Sequence, residues 1–536
     1  MPHAMICAPQ PEATEAGADI LRAGGNAVDA AIACALVQGV VDPLMAGIAG
    51  FGSMNLYLPA RGHHGVIDFH APAPRAVRPE MWQDLIVAEA RDGYGFILQG
   101  GINDIGHQAV CVPASLAAWH AAHRDFGVLP WAELVQPAIT WAEQGFLVRR
   151  HMETYWSDPG LMGRTPNPER IRHTAAARAL YCREDGTPKR VGDAVRNPDL
   201  AAVLRLIARD GADVFYRGEI AHAIAADFAA HGGLLSPDDL RSYAPLHTDP
   251  LWGSYRGWQI ATNNPPGGGL MLVEMLNVLE QFDLAALGHN SPAYIDVVAE
   301  AMKRATIDKD RHIADPEFVA VPVDRLSDKA YAADLAAEIR AGVKAAVPRL
   351  NGGYAGKDTT HIAVVDGAGS CVSMTHSLGH PSGVITDGLG FMYNGCMGVF
   401  DPRPGRPGSI APGKARFSSI CPGIVFRDGS PCLVIGAPGA TQIAMGVVQA
   451  ILNVLDFGMS MVEAVSAPRF SATSSAIDVL NRIPLSTERA LVALGHQVIR
   501  SPETFGIAGV HGIRIGADGV LDGGADPGHD GIAVAV

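Results

Sequence analysis

Charge is scarce in this chain of 536 residues: Asp, Glu, Lys and Arg make up 18%, and the aromatics only 6%. Basic charge is scarcer still, with 41 Lys and Arg against 55 Asp and Glu, a net charge of −14 and no basic cluster. That balance argues against nucleic acid and anionic membranes as main partners. Cysteine is sparse: eight residues, with no CxxC pair and no zinc spacing. Free thiols in a reducing compartment are therefore expected. The chain has no GxSxG elbow, no Walker A loop, no HExxH and no strand–GxGxxG–helix unit, so the reactions those motifs carry have no support. It has no internal repeat and no low-complexity tract. Met1–Gln10 has no basic stretch followed by an apolar one, so no export signal is expected, and the expected location is cytoplasmic. The longest uncharged run, Gly429–Leu455, is broken by Pro431, Pro438 and four glycines. It reads as a buried strand, a tight turn and a buried helix rather than a membrane span.

What is present is a hydrophobic content of 48% with 61 Gly and 37 Pro, the texture of a well-buried, loop-rich globular chain. Pro11–Ala23 reads as a helix stopped by Gly24-Gly25, and Asn26 caps the next helix, with Asp29 completing a capping box. Helical periodicity returns at Pro113–Asp125, Trp131–Gln144, Pro198–Arg209, Ile220–Ala230, Leu270–Phe282 and Pro292–Ile307. A hairpin is expected over Ser53–Leu58 and Gly65–Phe69, and an exposed loop over Asn351–Lys357. After Asp358 short β-type runs take over: His361–Val365, Ser370–His376, Gly423–Phe426, Leu433–Gly436 and Val510–Ile515. Helices recur at Thr441–Leu455 and Met461–Ala467. A helix-rich first part and a strand-rich second part sharing one core predict a layered α+β sandwich. His120 and His123, beside Trp119 on a helical stretch, suit packing. His63, His64 and His70 show no ligand spacing.

One segment carries chemistry: Lys357-Asp358-Thr359-Thr360-His361 feeds directly into a strand. Two hydroxyls at a strand mouth also suit a cap or a β-bridge pair, and spacing alone leaves both readings open. A cut before Thr359 would give that residue a free α-amine with an ordinary pKa of about 7.7–8.0, able to act as base to its own hydroxyl. The same hydroxyl could first attack the Asp358 carbonyl and cut the chain itself.

Thr359-Thr360-His361 with Ala363-Val364-Val365-Asp366 resembles the start of the small subunit of γ-glutamyltranspeptidases. Ile20–Ala31, Pro130–Phe146, His231–Leu235, the Pro265–Gly269 turn, Asp308–Phe318, Pro468-Arg469-Phe470 and Ala525-Asp526-Pro527 match that family in order and spacing. The resemblance implies an N-terminal-nucleophile (Ntn) hydrolase with a four-layer αββα core. It would be cut into a large subunit, residues 1–358, and a small subunit, residues 359–536. It also implies Thr359 as nucleophile and, through its amine, base, with Ser377 as a supporting hydroxyl. Ser418-Ser419 would be a carboxylate-binding pair, and Gly439-Ala440 the oxyanion turn, in place of two glycines. No metal or cofactor is implied, and a homodimer of heterodimers is a possible assembly. Without the resemblance, Ser418-Ser419 suit backbone-bonded strand hydroxyls equally well, and Gly436–Ala440 an ordinary strand-to-helix turn.

The sequence departs from the family in one place. His70 stands where the family has an arginine for the α-carboxylate, Gly379 where it has Asn or Thr, Cys396 where it has Gln or Glu, and Val399 where an Asp holds the α-ammonium. Each lost charge-assisted contact removes about 1.5–3 kcal/mol, so an α-amino acid head group would be poorly held. The stretch between Asp401 and Ser418 is also short, which implies a site without a lid and favours water over an acceptor amine. The expected function is an autoprocessed amidohydrolase acting on a small-molecule amide. Oxamate-like acid amides are favoured over glutathione or a glutaryl-cephalosporin, with Lys414 or Arg416 beside the serine pair as the cation for the substrate carboxylate.

Overall fold

The computed structural model describes residues 3–91, 93–160, 164–349 and 359–536. The expected loop over Asn351–Lys357, and Asp358, lie outside the described residues. Two antiparallel sheets form the centre. The first runs Ile532–Ala535, Met5–Ala8, Thr360–Val365, Cys371–Ser377, Phe51–Leu58, His63–Phe69, Leu246–Thr248. The second runs Leu521–Ala525, His511–Ile515, Ser430–Gly436, Gly423–Arg427, Trp258–Thr262, Leu251–Tyr255.

The inner faces of the two sheets meet through Met5, Cys7, Ala261, Ala363, Ile424, Val434 and Ile513, all buried. Apolar side chains at alternate strand positions account for this layer. Polar groups within it find partners across the gap: Ser373 Oγ donates to the Ile435 carbonyl at 3.0 Å, and Asn55 Nδ2 to the Ala261 carbonyl at 3.0 Å. Helices cover both outer faces. Helix Ala27–Val41 lies on Thr360–Val365 and Cys371–Ser377, and Gly269–Leu279 with Ile443–Leu455 covers the second sheet. The result is the four-layer αββα sandwich.

The capping box forms as its sequence requires: Asn26 Oδ1 accepts from the Val28 and Asp29 N–H groups, and Asp29 Oδ2 from the Asn26 N–H at 3.1 Å. Asp29 also accepts from the backbone of Val128 and Leu129, which fixes the helix against the middle of the chain. Gly17 lets helix Pro11–Arg22 press into this layer. A Cβ there would lie 2.4 Å from Ile6 Cδ1. Helix Ala27–Val41 is apolar on every side and almost wholly buried, as such a composition demands.

The hairpin runs Phe51–Leu58 and His63–Phe69. Gly429–Leu455 is the buried strand Ser430–Gly436, a turn and the helix Ile443–Leu455. No helix among the described residues is long and apolar enough to cross a membrane. Helix Ile443–Leu455 begins two residues later than Thr441 because a 3-10 turn over Ala440–Gln442 precedes it. All eight cysteines are free thiols. His123 Nε2 donates to the Leu129 carbonyl at 2.7 Å and His120 packs edge-on against Trp131, the packing roles expected.

Candidate active site

Thr359 sits at the mouth of strand Thr360–Val365, which lies between Met5–Ala8 and Cys371–Ser377. It is 6% exposed, and its Oγ1 donates to Ser377 Oγ at 3.1 Å. Ser377 Oγ in turn accepts from the Gly379 N–H at 2.8 Å. A hydroxyl fixed by an N–H keeps a lone pair directed at the Thr359 oxygen. The backbone at Thr359 has φ 150°, a strained value for a β-branched residue.

Beneath Thr359 lies a buried polar network that sequence reasoning did not find. Gln38 Nε2 donates to Thr360 Oγ1 at 2.9 Å, and Gln38 Oε1 contacts His376 Nε2 at 2.8 Å. Gln38 thus crosses from helix Ala27–Val41 into the strand that begins with the nucleophile candidate. Burial lowers the His376 pKa to about 3, so this ring is neutral and donates through Nε2. His361 is also buried and held neutral; its Nδ1 pairs with Thr375 Oγ1 at 2.9 Å.

The His361 ring brings the second sheet to the site. It occupies the space of a missing side chain at Gly436, where a Cβ would lie 2.2 Å from His361 Cε1. Only glycine permits this approach, and three residues later the strand's exit forms the turn Gly439-Ala440. Gly439 has φ 139°, and a Cβ there would lie 2.6 Å from Ala508 Cα. Ala440 has φ 50°, in the left-handed region. The turn therefore accepts the alanine at a cost of roughly 1–2 kcal/mol. Ala440 opens the 3-10 turn that leads into helix Ile443–Leu455. N–H groups at such a start have no partner within the helix and attract negative charge.

Beyond Ser377 the site opens over Phe51, its partner across the sheet. The Arg416 guanidinium lies 4.4 Å from the Phe51 ring centroid, and the His70 ring 5.9 Å from it on centroid distance. A Cβ at Gly379 would fall 3.1 Å from Arg416 Nη1 and 3.4 Å from Cys396 Sγ. Gly379, Cys396 and Arg416 therefore meet at one point, two residues from the Thr359 partner. Arg416 is 2% exposed, and its Nη1 has no hydrogen-bond partner. Lys414 is committed elsewhere, with Nζ donating to the carbonyls of Pro407 at 2.5 Å and Ser409 at 3.1 Å. Of the two cations flagged by sequence, Arg416 is the one that faces the site.

His70 Nδ1 is held by Asp68, 2.9 Å from Oδ2, and its buried Nε2 is unpartnered. Cys396 pairs with Cys111, a residue the sequence did not single out. Burial pushes the Cys396 thiol up, but the Cys111 S–H and the Arg416 charge outweigh it, so its pKa lies below the ordinary thiol value. Burial and this same partner raise Cys111 well above it. Asn394 locks the two segments together, accepting from the backbone N–H of both Cys111 and Cys396. Ser418 and Ser419 are seated by the Pro265–Gly269 turn: Ser418 N–H donates to the Pro266 carbonyl at 3.0 Å, and Gly268 N–H to the Ile420 carbonyl at 2.8 Å. Ser418 Oγ is partly engaged, accepting from the Ile420 N–H at 3.3 Å. Val399 ends the 3-10 turn Cys396–Val399 and offers no charge to an ammonium.

The arrangement thus combines a buried hydroxyl pair, a strand-to-helix turn and a buried guanidinium whose Nε donates to the Phe417 carbonyl at 3.1 Å while its Nη1 has no partner among the described residues. The gamma-glutamyltranspeptidase family model matches residues 13–536. The chain belongs to that family. It is 39% identical over 539 residues to the acylase ACY 1 proenzyme of Pseudomonas sp. (strain SE83), covering 99% of this chain and 93% of that one. It is 33% identical over 550 residues to the glutathione hydrolase proenzyme of Escherichia coli (strain K12), covering 98% and 90%. Among solved structures it is similar to a cephalosporin acylase from Bacillus halodurans, with TM-score 0.88, 29% identity and coverage of 100% of this chain and 96% of that one. As a member of this transpeptidase family the chain is an enzyme with the Ntn-hydrolase fold.

Proposed function

We propose that the protein is an autoprocessed amidohydrolase that removes ammonia or an amine from an acyl group ending in a free carboxylate. Thr359 Oγ1 attacks the Asp358 carbonyl, the Asp358–Thr359 C–N bond breaks and frees the α-amine, and water then hydrolyses the resulting ester, freeing Oγ1 and the Asp358 carboxylate. The amine then takes the hydroxyl proton as Oγ1 attacks the substrate amide carbon. The Gly439 and Ala440 N–H groups receive the oxyanion, the C–N bond breaks, and the leaving amine departs with the proton. Water attacks the threonyl ester and releases the carboxylic acid.

The observation that carries the substrate class is Arg416. A buried guanidinium with an unpartnered nitrogen, stacked on Phe51 beside Gly379, provides for one carboxylate. Val399 itself offers no charge to an ammonium. A cavity of about 410 Å³ reaches Val399 and Phe417, lined by Arg403 and Arg406 and also by the carboxylates of Glu89, Asp310 and Asp401. A short acid amide such as oxamate fits this pattern. A longer dicarboxylic acyl group is the second reading, supported by the similarity to acylases in sequence and in structure.

Intact-mass spectrometry tests the maturation: the wild type should give pieces of 358 and 536 − 358 = 178 residues, and Thr359→Ala a single chain. Ammonia release from oxamate, succinamate and glutaramate, beside hydrolysis of a glutaryl anilide and of glutathione, tests the substrate. Robust glutathione turnover would refute the carboxylate-only reading. A wide margin for the longer acyl groups would replace the small-acid assignment with the acylase one.

A further inference from the structure

Far from Thr359 in sequence, three side chains from two segments converge. Asp227 lies in the last turn of helix Glu219–Ala230, and His231 follows that helix as its cap. His107 begins the 3-10 turn His107–Ala109. His107 Nε2 is 3.3 Å from Asp227 Oδ2, and His231 Nδ1 is 2.9 Å from Asp227 Oδ1. The two imidazoles are nearly parallel, at 13° and 4.7 Å between centroids. One nitrogen from each ring and a carboxylate oxygen all lie within 4.8 Å of one another.

We propose that His107, Asp227 and His231 form a binding site for one divalent transition-metal ion, with zinc the best match. Two imidazole nitrogens and one carboxylate oxygen are a donor set for zinc, cobalt or nickel, whereas calcium and magnesium prefer oxygen alone. Three protein ligands leave a position for water, and the side chain of His231 is 59% exposed, so an entry path exists on that side. His107 and Asp227 are far less exposed, at 8% and 16%.

Two features outside the triad favour an ion over a plain hydrogen-bonded stack. A carboxylate in the last turn of a helix faces the negative end of the dipole, where a cation is favoured and an anion is not. The carboxylate is also oriented from behind: Thr386 Oγ1 donates to Asp227 Oδ2 at 2.6 Å, and Thr386 is itself held by the Tyr393 hydroxyl at 2.8 Å. Such outer partners are what fix metal ligands in place. Gly233 keeps the space open, since a Cβ there would lie 3.0 Å from His107 Cβ. Because Thr386 and Tyr393 belong to the strand-rich part of the chain, a bound ion would tie that part to the helix-rich one.

The test uses the full-length protein, stripped with a chelator and titrated with zinc chloride by calorimetry, with thermal melting recorded alongside. One zinc per chain and a raised melting midpoint are expected, with no response to calcium chloride. His231→Gln, at an exposed position that need not disturb the fold, and His107→Gln should each bind zinc at least ~10-fold more weakly. Tetrahedral cobalt absorption should appear with the wild type and be lost in both variants. Absence of saturable zinc binding, or wild-type affinity in either variant, would overturn the proposal. Neither outcome bears on the chemistry at Thr359.

Discussion

Arg416 is a permanent charge in a place almost closed to water, and its cost is offset only when an anion arrives or a neighbour ionises. The Cys111 S–H and the Arg416 charge hold the Cys396 thiol below the ordinary value despite burial, while Arg416 Nη1 keeps no partner and its compensation stays incomplete. A substrate carboxylate would complete it. Arg416→Ala should therefore raise KM for an acid amide, with a loss in kcat/KM of about 10- to 100-fold, corresponding to about 1.5–3 kcal/mol. Self-cleavage needs no such contact, and mass spectrometry should still find two pieces. An unchanged kcat/KM would remove Arg416 from recognition. Asp42 is the opposite case, a buried acid whose desolvation outweighs the pull of the Arg149 charge. Burial raises its pKa from 3.8 to about 6, and Gln10 Nε2 donates to Oδ2 while Oδ1 lacks a partner. The unfolded chain loses the Asp42 proton first as pH rises, so its contribution to stability is full below the ordinary value and falls until pH passes about 6. Asp42→Asn has no proton to lose. Its stability relative to the wild type should improve by about 2.5 kcal/mol between about pH 4 and about pH 7.5, read as diverging melting midpoints. Parallel pH profiles would show that Asp42 keeps an ordinary pKa.

The turn between strand Ser430–Gly436 and helix Ile443–Leu455 shows how an element can be right in kind and strained in detail. Gly439 is fixed by Ala508, but Ala440 occupies a left-handed conformation that glycine adopts freely. Ala440→Gly should leave the N–H geometry intact and change stability by no more than about 1 kcal/mol in the favourable direction, visible as a small rise in melting midpoint. A marked loss of stability would mean the alanine methyl makes contacts that matter more than its φ. The same elements show what was legible in the sequence. The Asn26–Asp29 capping box and the helices before it were readable because their causes lie within a few residues. The strands Met5–Ala8 and Ile532–Ala535 were not, since each is four residues long and becomes a strand only by pairing with the other end of the chain. At the site, Thr359, Ser377 and the Gly439-Ala440 turn were recognisable by order along the chain. Gln38, Phe51 and Cys111 reach the site only through long-range pairing, so no local pattern marked them. Lys414 and Arg416 stand two residues apart in one loop, and only the fold shows which one is consumed by loop carbonyls.

Across the whole molecule, the boundary at Thr359 does not coincide with any boundary of packing. Within the first sheet, Met5–Ala8 lies between Ile532–Ala535 and Thr360–Val365, and Cys371–Ser377 pairs with Phe51–Leu58. In the second sheet, Gly423–Arg427 pairs with Trp258–Thr262. Strands from residues 1–358 and 359–536 thus pair with each other inside both sheets. Side chains add further ties: Asp366 Oδ2 accepts from the Ala27 N–H at 3.1 Å, and Arg170 Nη1 donates to the Pro381 carbonyl at 2.8 Å. Neither part can bury its own strands alone, so separation would expose the inter-sheet core and leave ladder groups unpaired. A chain cut before Thr359 should therefore migrate as one species in size-exclusion chromatography, holding both pieces in equal amounts. The pieces should part only in denaturant, and melting should show one cooperative transition rather than two. Elution of a free 178-residue piece without denaturant would mean that the shared sheets contribute far less than their pairing implies.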